Sequence, residues 1–274
     1  MNHQVDLHIH TNASDGLHTP GEVISMSRAA GLRAIAITDH DTVDGLAEAV
    51  VAAAGTGLEV IPGVELSTEV ADAEIHILGY FVNYTDPEFM ARLAAFRDSR
   101  LMRARMILAR LDALGISLSW EQVRELAGDG ALGRPHIARA MKAARYVGST
   151  QEAFDRYLGR GKPAYVSRFK ATPAEAIHII HQAEGLPVLA HPWEAASSLP
   201  GLVAEGLIGL EAYYANYSPE VTALLCKQAQ RYGLLCTGGS DFHGLALLPE
   251  NRLGIASVPT KCLNTLRERK HLLW

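Results

Sequence analysis

The sequence predicts an α/β protein: a parallel sheet covered by helices, either a barrel or a doubly wound sheet, interrupted by a helical insertion. Two observations lead there. Short apolar strand candidates alternate with capped helical patterns through residues 1–86 and 171–274, giving seven β/α units. Between them, residues 87–170 carry helical periodicity and no convincing strand. At 274 residues and 48% hydrophobic content, the chain can bury a full core as one large domain with an insertion.

The elements follow in order. Val5, Leu7 and Ile9 alternate as the apolar face of a first strand, so His8 and His10 share the other face. Thr19-Pro20-Gly21-Glu22 is a capping box with proline at the first helical position. Residues 33–38 (RAIAIT) form a second strand, and residues 43–54 an alanine-rich helix closed by Gly55. A third strand region covers 58–61 and 63–66, and a fourth covers 74–81 (EIHILGYF). In the middle, helical patterns span 87–113, 119–127, 135–145 and 150–158. Thr172-Pro173-Ala174-Glu175 then caps another helix leading into 187–191 (PVLAH). A strand at 207–213, a helix from Ser218 to about Arg231 and a last strand at 234–237 complete the alternation.

Bulk properties narrow the class. No apolar leader opens the chain and no run approaches the ~20 apolar residues that span a bilayer, so a soluble cytoplasmic protein is expected. Cys226, Cys236 and Cys262 are few, odd in number and without zinc-ribbon spacing, which fits reduced, structural thiols. Charge is uneven. Residues 89–170 hold sixteen Lys and Arg against seven Asp and Glu, a balance of +9, while the remainder stands at −14. An acidic body suits cations and a basic insert suits anions.

The chemistry lies at the strand ends. His8 and His10 stand ~6–7 Å apart on one strand, near enough to share an ion. Asp15 follows in the next turn, His40 follows the second strand, Glu65 ends the third and His76 lies in the fourth. His191 ends PVLAH, and Asp241 and His243 repeat the i, i+2 spacing after the last strand. Parallel α/β folds assemble their sites at such positions. Six imidazoles and three carboxylates, with no thiolate, suit two or three divalent ions: manganese first, with iron or zinc accepted by the same donors. Asp39 and Glu211 are candidates for orienting these ligands. Clustered divalent ions suit hydrolysis of a phosphate ester. No GxSxG motif offers a competing nucleophile, and GRGKP at 159–163 lacks the upstream glycine and the Ser/Thr of a P-loop.

The motifs DLHIHTNASDG, AITDHDTVDG, PGVELST, EIHILGYF, LAHPW and GSDFHG, in this order, resemble those of the polymerase-and-histidinol-phosphatase (PHP) family. The resemblance covers residues 4–82 and 173–258 and implies a distorted (β/α)7 barrel. It implies a first ion on His8, His10, Glu65 and Asp241, and a second on Glu65, His76 and His191. The third falls to Asp15, His40 and His243, with Glu65, Asp15, His40 and His243 as the catalytic set.

The basic insert supplies the expected substrate class. Arg134 and His136 in the stretch GRPH open a helix whose free amides and dipole favour phosphate, and Arg103 and Arg105 lie in the densest cationic stretch. Arginines at 92, 97, 100, 103, 105 and 110 are spread around one helix, so periodicity leaves the substrate-facing ones open. PHP proteins with such an insertion resemble phosphoesterases of nucleoside 3′,5′-bisphosphates, some relatives trimming short 5′-phosphorylated RNA or DNA. A 3′-phosphatase giving a nucleoside 5′-monophosphate is therefore expected, acting on a small nucleotide or short oligonucleotide with no membrane and no obligate protein partner. The alternatives are a 5′→3′ exonuclease on short oligonucleotides, a histidinol-phosphate-type phosphatase, or a non-catalytic nucleotide-binding or regulatory module.

Overall fold

The computed structural model describes residues 5–70, 73–128, 132–166, 171–193 and 198–273. Its first half runs β1 (Val5–Ile9), α1 (Pro20–Ala29), β2 (Ala34–Ile37), α2 (Leu46–Ala53), β3 (Glu59–Val70) and β4 (Ala73–Tyr80). A helical stretch follows: α3 (Pro87–Ala113), α4 (Trp120–Ala127), α5 (Arg134–Ala143) and α6 (Thr150–Ala153), the last continuing as a π-helical turn, Phe154–Leu158. Then come α7 (Pro173–Gln182), β5 (Leu186–Leu189), α8 (Leu199–Ala204), β6 (Gly209–Tyr214), α9 (Pro219–Tyr232), β7 (Leu235–Gly239) and α10 (Thr260–Leu273). The capping boxes expected at Thr19 and Thr172 are both formed. No described helix is long and apolar enough to cross a membrane.

The seven strands pair in chain order, and the sheet curls into a nearly closed barrel. Closure runs through the segment just past β7. Asp241 N–H donates to the His8 carbonyl at 2.9 Å, and His10 N–H donates to the Phe242 carbonyl at 2.9 Å. This approach requires glycine, because a Cβ at Gly239 would collide with the His8 backbone.

One expectation is corrected here. The alternation does not give seven uniform β/α units, because β3 and β4 form an antiparallel hairpin and β4 also pairs antiparallel with β5. The third strand region is likewise one strand that changes partner midway. Its 59–62 part pairs with β2 and its 63–70 part with β4, with Pro62, which has no N–H to donate, at the changeover. The alternation of buried Ile75 and Ile77 around His76 reads the same in either strand direction, so periodicity could not reveal the reversal.

Apolar side chains cover both surfaces of the barrel wall. The helical stretch has a core of its own, drawn from residues 104–166 and including Ile107, Leu111, Val123, Ile137 and Met141. Helix α3 serves both cores: Phe89 and Leu93 pack on the barrel, whereas Ala104, Ile107 and Leu111 pack among the other helices. That arrangement sets α5 and the middle of α3 against the turns after β1 and β2 and the β3–β4 hairpin.

Candidate active site

Glu65 is the hub of the rim. It is buried, and its Oε2 stands 3.2 Å from His8 Nε2, 3.1 Å from His10 Nε2 and 3.2 Å from His40 Nδ1. Its Oε1 stands 2.8 Å from His76 Nδ1 and 3.3 Å from His191 Nε2. Asp241 Oδ1 closes the group at 3.4 Å from His8 and 3.2 Å from His10. Beside it, Asp15 Oδ1 lies 3.2 Å from His243 Nε2, and Asp15 Oδ2 lies 4.0 Å from His40 Nε2. All nine residues expected at the rim therefore stand in one connected cluster. Their grouping differs in detail from the three implied sets. His10 also falls with Asp15, His40 and His243, and His40 also falls with Glu65 and His76, because each of these rings faces both neighbourhoods with its two nitrogens.

The backbone is held in place for this purpose. Asp41, His191 and Asp241 follow β2, β5 and β7 with φ of 53°, 28° and 52°, in the left-handed region that costs a non-glycine residue ~1–3 kcal/mol. Glu211 steadies two ligand positions at once: its Oε1 accepts from His8 Nδ1 at 3.1 Å and its Oε2 from the His191 N–H at 2.8 Å. The first contact fixes the ring so that Nε2 faces the cluster. Asp39 acts differently, accepting from Thr11 N–H, Thr11 Oγ1 and Ser14 Oγ, and so shapes the turn that carries Asp15. Asp6 ties the far ends together through the N–H groups of Ser240 and Gly254. It shares the strand face of His8 and His10, a signal that could have marked it as part of this network.

Burial opposes ionisation of Glu65, but His40, His8 and His76 hold its carboxyl well below the usual range. Asp15 is lowered in the same way by His243 and His40, and Asp241 by His8 and His243. Burial pushes His40 down to about 3, leaving its ring neutral. Ionised carboxylates and a neutral imidazole are the forms that bind cations. The donor atoms fit as well. Among the described residues, three His/Asp/Glu groups each place their ligand atoms within 4.8 Å of one another, and the buried His10 Nδ1 has no hydrogen-bond partner. The residues present thus fit a cluster of divalent ions.

A cavity of about 140 Å³ opens beside the cluster. Asp15, His40 and His76 line one side, while Arg100, Arg103 and Arg134 line the other. Arg134 heads α5 and donates to Glu74 Oε2 at 2.7 Å, with Phe154 and Tyr165 beside its guanidinium. Arg103 is buried and donates through Nε to the Val166 carbonyl at 2.8 Å. Two expected substrate residues stand elsewhere. Arg105 is exposed and lies over Trp120, 4.9 Å from the ring centroid, because it points away from the face that α3 turns toward the barrel. His136 does not line this cavity: its Nδ1 accepts the Gly133 N–H at 3.0 Å, capping α5, and it faces a separate cavity behind the Asp15 turn. Of the α3 arginines whose facing periodicity left open, Arg100 also turns toward the rim and lines the cavity. It donates to Asp41 Oδ2 at 2.6 Å and to Ser67 Oγ at 2.8 Å, fastening α3 to the rim.

Comparison with known proteins agrees with this geometry. The PHP domain family matches residues 6–157. The chain is 35% identical to the 3′,5′-nucleoside bisphosphate phosphatase of Chromobacterium violaceum over 247 residues, 87% of each chain. It is 36% identical to the 5′-3′ exoribonuclease Rnm of Escherichia coli over 247 residues, 87% of this chain and 84% of that one. A metal-dependent phosphoesterase structure from Bifidobacterium adolescentis superposes with a TM-score of 0.88 at 30% identity, covering 97% of this chain and 96% of the other. The chain belongs to the PHP family and is a phosphoesterase of that family.

Proposed function

We propose that this phosphoesterase removes the 3′-phosphate of nucleoside 3′,5′-bisphosphates, giving a nucleoside 5′-monophosphate and inorganic phosphate. One observation carries the reading: arginines 100, 103 and 134 line the same cavity as Asp15, His40 and His76. A substrate with two phosphates places one at each side. The nine rim residues would hold two or three divalent ions, manganese first, and the scissile 3′-phosphate would face this rim. When bound, the ions polarise the phosphoryl oxygens and make water acidic enough to attack near neutral pH.

The chain's own side chains do the rest. Arg134 leaves Glu74 and takes the 5′-phosphate, assisted by the positive end of the α5 dipole. Arg103 adds positive charge from the same wall, and His136 contributes by capping the helix that presents Arg134. Leu132, Ile137 and Phe154 give the cavity an apolar flank suited to the nucleoside.

A second reading is favoured by the relatives. The 5′-3′ exoribonucleases of Escherichia coli and Haemophilus influenzae are 36% and 35% identical to the chain, as similar as the bisphosphatase. The same site would then release mononucleotides from short 5′-phosphorylated strands. Phosphate release from adenosine 3′,5′-bisphosphate with added Mn²⁺ and a chelator control, run beside a 5′-phosphorylated RNA pentamer, separates the two. Fast phosphate release with an intact pentamer is the expected result. Stepwise shortening of the pentamer makes the exonuclease the principal activity, and no turnover of either refutes both.

A further inference from the structure

Strand β6 supplies none of the nine rim residues, yet two of its side chains reach them. Glu211 holds the His8 ring and the His191 N–H. Tyr214 is the second. Its hydroxyl donates to Asp241 Oδ2 at 2.9 Å, while Oδ1 of the same carboxylate faces His8 at 3.4 Å and His10 at 3.2 Å. Its ring lies 5.9 Å from the His191 ring. Glu211 and Tyr214 are three residues apart, and in a regular strand such a pair points to opposite faces. A bulge removes the conflict. Glu211 pairs with Thr237, Tyr213 with Gly238 and Tyr214 with Gly239, so Ala212 is an extra residue. Thr237 and Gly239 are two apart and share a face of β7, and their partners Glu211 and Tyr214 therefore share it too. Glycine is needed opposite the bulge, because a Cβ at Gly238 would collide with the Tyr213 carbonyl oxygen.

We propose that Tyr214 is a positioning residue for the metal centre, aimed by the bulge at Ala212 to hold Asp241 Oδ2 so that Oδ1 is the oxygen presented beside His8 and His10. The inference rests on the reading that the rim holds divalent ions. An ionised carboxylate can only accept, so the phenol donates, and that bond occupies one oxygen and fixes the rotation of the group. The backbone does not achieve this by itself. Asp241 sits at φ 52°, its N–H donates to the His8 carbonyl, and its own carbonyl accepts the Asn251 side-chain amide at 3.3 Å. Those bonds place the main chain and leave the carboxylate free to turn about its side-chain bonds. A carboxylate that turns holds an ion less well, and the outer partners of metal ligands typically account for about 10- to 100-fold in affinity. The neighbouring Tyr217, with its ring 5.0 Å from that of Tyr214, uses its hydroxyl differently, accepting the Trp193 N–H at 3.1 Å.

The test is a calorimetric titration of Mn²⁺ into the metal-free protein, which needs no substrate. In Tyr214→Phe, which removes one oxygen and keeps the ring, the affinity for one ion should fall about 10-fold. Tyr217→Phe should bind as the wild type does. Introduced into Asp241→Ala, Tyr214→Phe should change the affinity less than about 2-fold, because its partner is gone. Unchanged affinities in Tyr214→Phe, or an equal loss with and without the Asp241 carboxylate, overturn the positioning role and leave the rim standing as the metal site. A wild-type protein that takes up no Mn²⁺ overturns both.

Discussion

The two walls of the cavity are built differently. On the barrel side, nine side chains from six strands and their following turns form one cluster centred on Glu65, on a backbone held by sheet and turn hydrogen bonds. On the helical side, the arginines belong to a unit with its own core, joined to the barrel by ion pairs such as Arg100–Asp41, Arg97–Asp44 and Arg134–Glu74. The barrel wall holds fixed geometry for chemistry. The helical wall combines a buried latch, Arg100, with a cation that a ligand can win away from its partner, Arg134.

This contrast can be broken at several points. The largest effect is expected at the hub: Glu65→Gln removes the carboxylate shared by five imidazoles and should lower kcat by about 10³-fold or more, read in a steady-state assay. Next comes the latch. Arg100→Ala leaves Asp41 buried without that partner and should cost about 3–5 kcal/mol of stability, read by urea unfolding. Arg134→Ala should leave stability nearly unchanged while raising KM for bisphosphates about 10- to 100-fold, and far less for simple monophosphates. Equal effects on both substrate types would remove its assignment to the second phosphate. Arg105→Ala, outside the cavity, should change kcat/KM less than about 2-fold, as exposed substitutions generally do.

Metal uptake sharpens the comparison from the other side. Against burial, Glu65 and Glu74 push His76 up to about 9, and Asp15 and Asp241 push His243 up to about 10. Both rings therefore carry protons near pH 7 in the metal-free protein, and a cation must displace them. Apparent Mn²⁺ affinity should rise as pH climbs from 6 to 9, with protons released on binding, measurable by titration calorimetry in buffers of different ionisation enthalpy. Because these pKa values lie above the ordinary 6.5, the stability they lend the metal-free fold is complete below that pH and disappears through 9 to 10. The Tm of the chelated protein should fall across that window.

The same contrast explains what could be read in advance. A strand has a period of two and a definite end, so His8, His10, His191, Asp241 and His243 could be assigned to a rim from spacing alone. Helix α3 spreads its arginines around the axis, and its packing changes from one core to another midway. No local pattern then distinguishes Arg100, which turns inward, from Arg105, which stacks on Trp120. The strand reversal at β4 and the capping role of His136 were hidden for the same reason: each depends on a partner far away or on a helix end, not on periodicity. Glu211 carried a trace, sitting in a strand beside otherwise apolar residues, whereas Tyr214 is ordinary in sequence and gains its role only through Asp241.

The central claim is that the rim takes the 3′-phosphate and the arginine wall takes the 5′-phosphate. The most direct measurement is the identity of the nucleotide formed from adenosine 3′,5′-bisphosphate by the Mn²⁺-loaded enzyme, followed by phosphorus NMR. Adenosine 5′-monophosphate with free phosphate is the predicted product. Adenosine 3′-monophosphate would contradict the account, because the two phosphates would then occupy the opposite walls.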